Sequence, residues 1–328
     1  MIRRSQAEKR EIIQLVEHSA LSVKKTLDEL QVLRSTFYRW YKQYLEEGEA
    51  GLVDHRPNPH QIWNRIPKEM RQEVVELALE HPDRSPRQIA WLFTDQKGYF
   101  ISESSMYRIL KGFDPVESPA FRVMSAAEKY KHPTKHIHEL WQTDFTYFKI
   151  QGWGWYYLST VLDDFSRYIL AWKLTPTMSA TDVQATLLMA LASGGLDHAQ
   201  VEHRPRLLSD NGSCYVSGEL RSFLERRHIE HTCSDPYHPM TQGKIERYHR
   251  SMKNIVNLQN YILPTTLETE IASFVNYYNH QRYHESLDNL TPADIYFGRA
   301  KDVLTKRDQV KKQTMQQRRL QNLQLPAV

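Results

Sequence analysis

The sequence predicts an all-helical N-terminal part followed by a mixed α/β domain, and three observations carry that prediction. Residues 7–113 hold two successive sets of short apolar-faced segments with hydroxyl cap residues and no β-rich run. From Trp141 the texture changes to aromatic and β-branched residues, in an order of three strands, helix, strand, helix, strand, helix. Two stretches without periodicity, 51–66 and 114–138, are rich in Pro, His or Asn and separate these parts as linkers. A chain of 328 residues is long enough for two or three domains, each with its own core.

In the first set, Ile12, Ile13 and Val16 give one apolar face, and Ser22 is placed to cap a helix carrying Val23, Leu27 and Leu30. Ser35 is expected to cap a third helix that Gly48 ends. Phe37, Trp40, Tyr41 and Tyr44 are then available for packing. Ser35, Thr36, Tyr38, Arg39 and Lys42 offer hydroxyls and positive charge on the early part of that helix. Such a helix suits the recognition element of a helix-turn-helix, whose first residues reach base edges in the major groove. An ordinary three-helix bundle with a charged face is the competing reading.

The second set repeats the layout within about 110 residues of the N-terminus. Val74, Val75, Leu77 and Leu79 lie in one expected helix. Ser85 caps the next, with Pro86 at its first position and Arg87 as a candidate DNA contact. After a Lys97-Gly98 turn, Ser102 or Ser104 caps a helix carrying Met106, Ile109 and Leu110 inward and Ser105, Arg108 and Lys111 outward. Repetition of two apolar helices, a turn and a capped Arg-bearing helix favours DNA binding. The expected domains are therefore 1–50 and 67–113, both helix-turn-helix, then the α/β part over 139–262, a helical extension over 263–300 and a basic tail over 301–328.

Composition excludes several classes. Hydrophobic residues make up 40%, charged residues 25% and aromatic residues 11%, as in a soluble globular protein. No apolar run reaches the roughly 18 residues of a membrane span, and Met1 to Arg10 lacks a secretory apolar segment. The expectation is a cytoplasmic protein. Cys214 and Cys233 are too few for a disulfide framework, and His132, His136 and His138 fit no common zinc spacing. Net charge is +4, and Arg299 to Arg319 holds eight Lys/Arg against two Asp.

Within the α/β part, Gln151-Gly152 joins the first two strands as a hairpin, and residues 179–192, 267–284 and a segment opening near Gly243 read as helices. Three acids recur at element ends. Asp144 lies inside the first strand among aromatic residues, Asp210 ends the fourth directly before Asn211-Gly212, and Glu246 opens a helix behind a turn rich in Pro and Gly. A carboxylate inside such a strand costs several kcal/mol unless paired or metal-bound. Three of them invite a hard cation. Mg²⁺ prefers oxygen ligands, and two such ions about 4 Å apart assist in-line displacement at phosphorus. Asp163 and Asp164 form an equally conspicuous pair but are read as structural, next to the turn residues Phe165, Ser166 and Arg167. Asp182, Glu219 and Glu225 are read as solvated helix faces. Arg247, Arg250 and Lys253 follow Glu246 as bases that can grip DNA phosphate, and positions 246, 250, 253 and 257 share one helical face. Glu246, Arg250, Lys253 and Asn257 are thereby aimed together, the three after Glu246 as DNA contacts.

These stretches resemble the DDE transposase and retroviral-type integrase family, above all bacterial insertion-sequence transposases. The resemblance rests on WQTDFTYF around Asp144, VLDDFSRYILAW, LLSDNGSCYVS around Asp210, PYHPMTQGKIERYHRSMK around Glu246, and YYNHQRYHESLDNLTPADIY. It covers about 141–298, with thirty-five residues between Asp210 and Glu246. It implies an RNase H-like catalytic core, a five-stranded mixed sheet flanked by helices. Asp144, Asp210 and Glu246 would be catalytic ligands of two Mg²⁺ ions, with Mn²⁺ as a substitute. Lys244 and Lys253 would touch element-end DNA.

The implied function is a bacterial DNA transposase, nucleoid-associated when on DNA. It would bind terminal inverted repeats, cleave 3′ ends and transfer them into target DNA as a dimer or larger assembly. The rivals are a metal-dependent nuclease of the same fold and an inert DNA-binding regulator. The chain departs from the family in lacking the N-terminal His/Cys zinc module of retroviral integrases and the leucine zipper of some insertion-sequence transposases.

Overall fold

The computed structural model describes residues 5–19, 21–53, 63–113, 134–197, 204–234, 243–256 and 261–324, which fall into two compact units. The first holds three helices, α1 (Gln6–His18), α2 (Val23–Glu29) and α3 (Arg34–Glu47), and a short 3-10 turn over Gly48–Leu52. Ser5 and Glu8 close a capping box at the start of α1. Ile12, Ile13, Val16, Leu27, Val32, Phe37, Trp40 and Leu52 form the core. Helix α3 starts at Arg34 with Leu33 as its N-cap, so Ser35 lies in the first turn and does not cap. Buried Val32, whose N–H donates to Leu27 O, anchors the turn and brings the chain into the helix earlier than a serine cap would. Gly48, at φ +65°, ends α3 as expected.

The expected linker at 51–66 is shorter than its composition suggests. A Cβ at Gly51 would stand 2.5 Å from Gln43 O, and Leu52 is buried with its carbonyl accepting from Lys9 Nζ. Ile66 belongs to the next core. Residues 54–62, and the second linker over 114–133, lie outside the described residues.

The second unit opens with α4 (Lys68–Glu80), α5 (Pro86–Lys97) and α6 (Glu103–Phe113), packed around Val74, Leu77, Ile89, Phe93, Ile101 and Met106. Leu79, expected with the apolar residues of α4, points outward. Ser85 closes a capping box with Gln88, and Gly98 ends α5 in the left-handed region. Of the two candidate caps for α6, Ser102 takes the part: its hydroxyl and carbonyl accept from Ser105 N.

Then comes a three-layer α/β/α core. Strands β1 (Leu140–Ile150), β2 (Gly154–Asp163), β3 (Ile169–Thr175), β4 (Arg206–Ser209) and β5 (His231–Cys233) form one sheet in the order β3-β2-β1-β4-β5. The first three are antiparallel neighbours, while β1, β4 and β5 run parallel. One face of the sheet packs on α7 (Ala180–Ser193) and α8 (Gly218–Arg226) through Trp141, Val183, Leu187, Leu220 and Phe223. The other packs on α9 (Gly243–Val256) and α10 (Pro264–His280) through Phe148, Leu158, Ile245, Tyr248, Met252 and Phe274. This is the mixed five-stranded RNase H-like arrangement, with helix-turn-helix domains before it.

Helix α10 ends at His280, four residues before the expected Tyr283-His284 limit, because Tyr277 O accepts from the N–H groups of both Gln281 and Arg282. A 3-10 turn (Glu285–Leu287) and α11 (Pro292–Tyr296) follow. The expected basic tail is largely a 25-residue helix, α12 (Ala300–Gln324). Arg307, Thr314 and Arg318 share one side of it and are buried against 95–100. Arg307 pairs with Asp95 at 2.6 Å, Thr314 Oγ1 accepts from Phe100 N at 3.0 Å, and Arg318 donates to Tyr99 Oη and Phe100 O. Charge marked this segment as a basic tail; spacing turns part of that charge inward.

Candidate active site and nucleic-acid interface

Strand pairing puts two of the acids side by side. The parallel β1–β4 register sets Gln142 against Leu208, and two residues further on each chain lie Asp144 and Asp210. Both are half-buried: Asp144 lies within β1 two residues past the end of its parallel pairing with β4, where β1 stays paired with β2 alone, and Asp210 directly follows β4. Such a switch in sheet order is where α/β folds place ligands. Burial raises the phenol of Tyr215 well above its ordinary value, and both aspartates add to the rise, so the three share one neighbourhood.

Each aspartate is held locally. Asp144 Oδ1 accepts from Phe145 N at 2.8 Å, and its Oδ2 lies 3.3 Å from His249 Nδ1. Asp210 Oδ1 accepts from Gly212 N at 2.9 Å, while Asn211 Nδ2 donates to Ser234 O. A Cβ at Gly212 would sit 3.0 Å from that same Oδ1, so the Asp-Asn-Gly turn needs glycine for the carboxylate to stay where it is.

Glu246 is exposed in the first turn of α9. Burial and then Asp144 push its carboxyl above the usual range, and Arg250, His249 and Arg247 oppose them. Two carboxylates repel there. Among the described residues, no three His, Cys, Asp or Glu side chains converge closely enough to hold one ion. The loop before α9, residues 235–242, lies outside the described residues, as does the candidate contact Asn257.

The donors at hand are oxygens. His249 is engaged on both ring nitrogens, since Nε2 lies 3.3 Å from Thr160 Oγ1. Burial and Asp210 raise the Cys214 thiol, which keeps it protonated. A hard divalent cation fits such a donor set, and a soft one does not. Sequence reasoning passed over His249; its signal was its spacing of three from Glu246, on the side of α9 that carries Ile245, Met252 and Val256 into the core.

Asp163 and Asp164 are structural, as their neighbours suggested. Asp163 accepts from His138 N, Ser166 N and Ser166 Oγ. Asp164 accepts from Thr134 Oγ1 and Gln142 Nε2, and pairs with Lys244 at 2.8 Å. Lys244 is therefore turned inward, with only 16% of its side chain exposed. Gln142 Oε1 also accepts from Ile245 N, so the same cluster holds the start of α9.

The other candidate contacts divide between surface and interior. Arg250 is exposed, Arg247 bonds back to Gly243 O, and half-buried Lys253 places Nζ 4.1 Å from the centroid of the Tyr147 ring. On α3, Ser35, Tyr38, Arg39 and Lys42 are exposed and Thr36 is half-buried. Lys42 pairs with Glu46. On α6, Arg108 and Lys111 are exposed, and Ser105 is half-buried beside Ser102. Arg87 is not on an outer face of that kind. Its guanidinium meets Glu103, Glu285 and Asn289, which ties α5 to the segment after α10.

Two models of the integrase core domain match residues 135–239 and 227–292, and two of homeodomain-like domains match 3–53 and 36–110. The transposase of insertion sequence element IS904 from Lactococcus lactis is 28% identical over 161 residues, covering 48% of this chain and 60% of that one. The transposase of transposon Tn552 from Staphylococcus aureus is 25% identical over 276 residues, covering 76% and 56%. The chain thus spans a little over half the length of these curated transposases. The HTLV-2 integrase catalytic core domain, solved in complex with magnesium, is 22% identical over 49% of this chain and 97% of that one, with a TM-score of 0.39. No described helix is long and apolar enough to cross a membrane. Integrase core models over 135–292, homeodomain-like models before them and the similarity to these transposases together support the DDE transposase and integrase family for this chain.

Proposed function

We propose that the chain is a DNA transposase that binds the terminal repeats of a mobile element, cleaves their 3′ ends and joins them to target DNA. The observation that carries this reading is the β1–β4 register, which brings Asp144 beside Asp210, with Glu246 in the field of Asp144. In the first step water attacks the phosphodiester at the element end; the P–O bond breaks and leaves a 3′-hydroxyl. In the second that hydroxyl attacks a target phosphodiester, and the displaced target oxygen leaves with the proton. Both are displacements at phosphorus with similar charge development, so one set of acids serves both.

Asp144, Asp210 and Glu246 would hold the divalent metal, Mg²⁺ or Mn²⁺, which when bound supplies Lewis-acid stabilisation of the phosphate and favours ionisation of the attacking oxygen. The chain's own groups do the rest. Phe145 N and Gly212 N orient the aspartates, His249 fixes Asp144, and Arg250 and Lys253 grip the strand beside Glu246. The exposed hydroxyls and bases of α3 and α6 (Ser35, Tyr38, Arg39, Lys42, Arg108 and Lys111) would read or grip the terminal repeats. Two ends must be joined together, so a dimer or larger assembly is expected.

The deciding experiment supplies terminal-repeat DNA both intact and pre-cut to a 3′-hydroxyl, with Mg²⁺ and a target plasmid. Asp210→Asn should bind the ends within about twofold of wild type and reduce cleavage and joining at least about a hundredfold. Joining that survives the substitution overturns the assignment. Wild-type cleavage without joining of pre-cut ends would make the chain a nuclease.

A further inference from the structure

The β1–β2 hairpin extends beyond the helices that cover one side of the sheet. Strand β4 pairs with β1 only at residues 140–142, and on that side the core cluster takes up Trp141 and Phe145 but nothing further along β1. Past that point the outward positions of the strands carry Tyr147, Lys149 and Trp155, and Trp153 lies in the turn between them, where an exposed face is ordinarily polar throughout. Tyr147, Trp153 and Trp155 are 56%, 57% and 51% exposed. The opposite side of the same hairpin is ordinary core, with Phe148, Ile150 and Leu158 under α9 and α10. Packing therefore gives no account of the exposed rings.

Their arrangement is ordered. Lys149 faces Trp155 across the ladder with Nζ 5.9 Å from its ring, and Tyr147, diagonal to Trp155, meets it edge-on at 5.4 Å. Lys253 sits over Tyr147 at 4.1 Å and also feels the charge of Asp144, so the patch adjoins the acids. No acidic residue occurs between Asp144 and Asp163, where the one charged side chain is Lys149.

We propose that Tyr147, Trp153 and Trp155, with Lys149 and Lys253, form a stacking platform for unpaired nucleotides of a DNA strand beside the three acids. Duplex DNA buries its base faces, whereas a frayed or single-stranded segment presents them. Aromatic faces interleaved with lysines bind such segments with little sequence preference. The inference rests on reading the acids as a DNA-processing site, but it is measured as binding, without chemistry.

The test uses the full chain in fluorescence anisotropy with a labelled thymidine ten-mer, a blunt duplex, and that duplex carrying a short unpaired 3′ extension. The Trp153→Ala/Trp155→Ala double variant should bind the ten-mer and the extended duplex roughly tenfold more weakly, with blunt-duplex binding unchanged. Trp155→Phe should keep most of the affinity, and intrinsic tryptophan fluorescence of the wild type should be quenched by the ten-mer. Unchanged ten-mer affinity in the double variant, absent quenching, or an equal loss on blunt duplex overturns the proposal. So does a double variant altered only in sedimentation, which would make the patch a contact between copies of the chain. A chain that binds the ten-mer through these tryptophans yet never cleaves DNA leaves the platform standing and sinks the reading of the acids.

Discussion

His249 holds Asp144 to the neighbouring strand. Its Nδ1 lies 3.3 Å from Asp144 Oδ2 and its Nε2 3.3 Å from the hydroxyl of Thr160, the residue opposite Asp144 in the β1–β2 ladder. With Nδ1 protonated, the ring donates to the carboxylate and accepts from the threonine. His249→Ala leaves both partners without that bond in a buried setting. It should cost about 2 kcal/mol in urea unfolding. It should also reduce strand joining more than end binding, since the carboxylate loses its support.

Gly212→Ala tests the second aspartate without touching an acid. The added methyl would press on Asp210 Oδ1 at 3.0 Å, so the carboxylate must rotate and lose its bond from Gly212 N. Joining should fall at least about tenfold while the unfolding midpoint moves little, as expected for a change at a partly open turn. Wild-type joining by this variant would show that Asp210 tolerates another position.

Lys244 should matter through folding before it matters through DNA. It pairs with Asp164, which is only 3% exposed and also receives bonds from Gln142 and Thr134. Lys244→Met strands a buried carboxylate and should destabilise the unit by about 3 kcal/mol in urea. Adding Asp164→Asn should recover part of that loss. A Lys244→Met chain of native stability that binds end DNA poorly would restore the phosphate-contact role expected from the sequence.

Glu246 should titrate differently once its neighbour is neutral. Burial and Asp144 raise its carboxyl above the ordinary 4.5, so protonation favours the folded, metal-free state. That contribution is fully present below pH 4.5 and is lost as pH rises through the raised value. Asp144→Asn should lower the Glu246 pKa in carbon-detected NMR of the metal-free protein and remove part of this pH dependence. An unmoved pKa would mean that the two carboxylates do not interact.

Arg307→Leu should loosen α12 from the second helical domain. The substitution leaves Asp95 without its 2.6 Å partner, though Tyr283 Oη still donates to it. A loss of about 3 kcal/mol is expected in thermal or urea unfolding. Removing 301–328 should therefore lower stability as well as the salt dependence of DNA binding, and the point variant separates the two effects.

Much of this protein was open to reading from local pattern. Aromatic and β-branched residues marked the strands, the hydroxyl cap at Ser85 marked a helix start, and Gly48 marked an end. These features depend on a few neighbouring residues, and so did the motifs around Asp144, Asp210 and Glu246 and the family they indicate. The α2–α3 boundary was displaced because buried Val32 decides where that turn closes. That part of the basic tail packs inward was not legible, because the pairing of Arg307 with Asp95 joins residues more than two hundred positions apart.

The sequence by itself determined the order of elements and the two helical sets, and singled out the three acids, because propensity, capping and periodicity act over a few residues. Only the tertiary structure decided which charges are tied to distant partners. Arg87 and Lys244 resemble the exposed bases Arg39 and Arg250 in type, but their partners, Glu285 and Asp164, come from distant chain. The structure also decided that Asp144 and Asp210 follow paired positions of β1 and β4 and that His249, passed over in the sequence, holds Asp144. Parallel pairing and the packing of α9 on the sheet are long-range contacts, and no local rule states them.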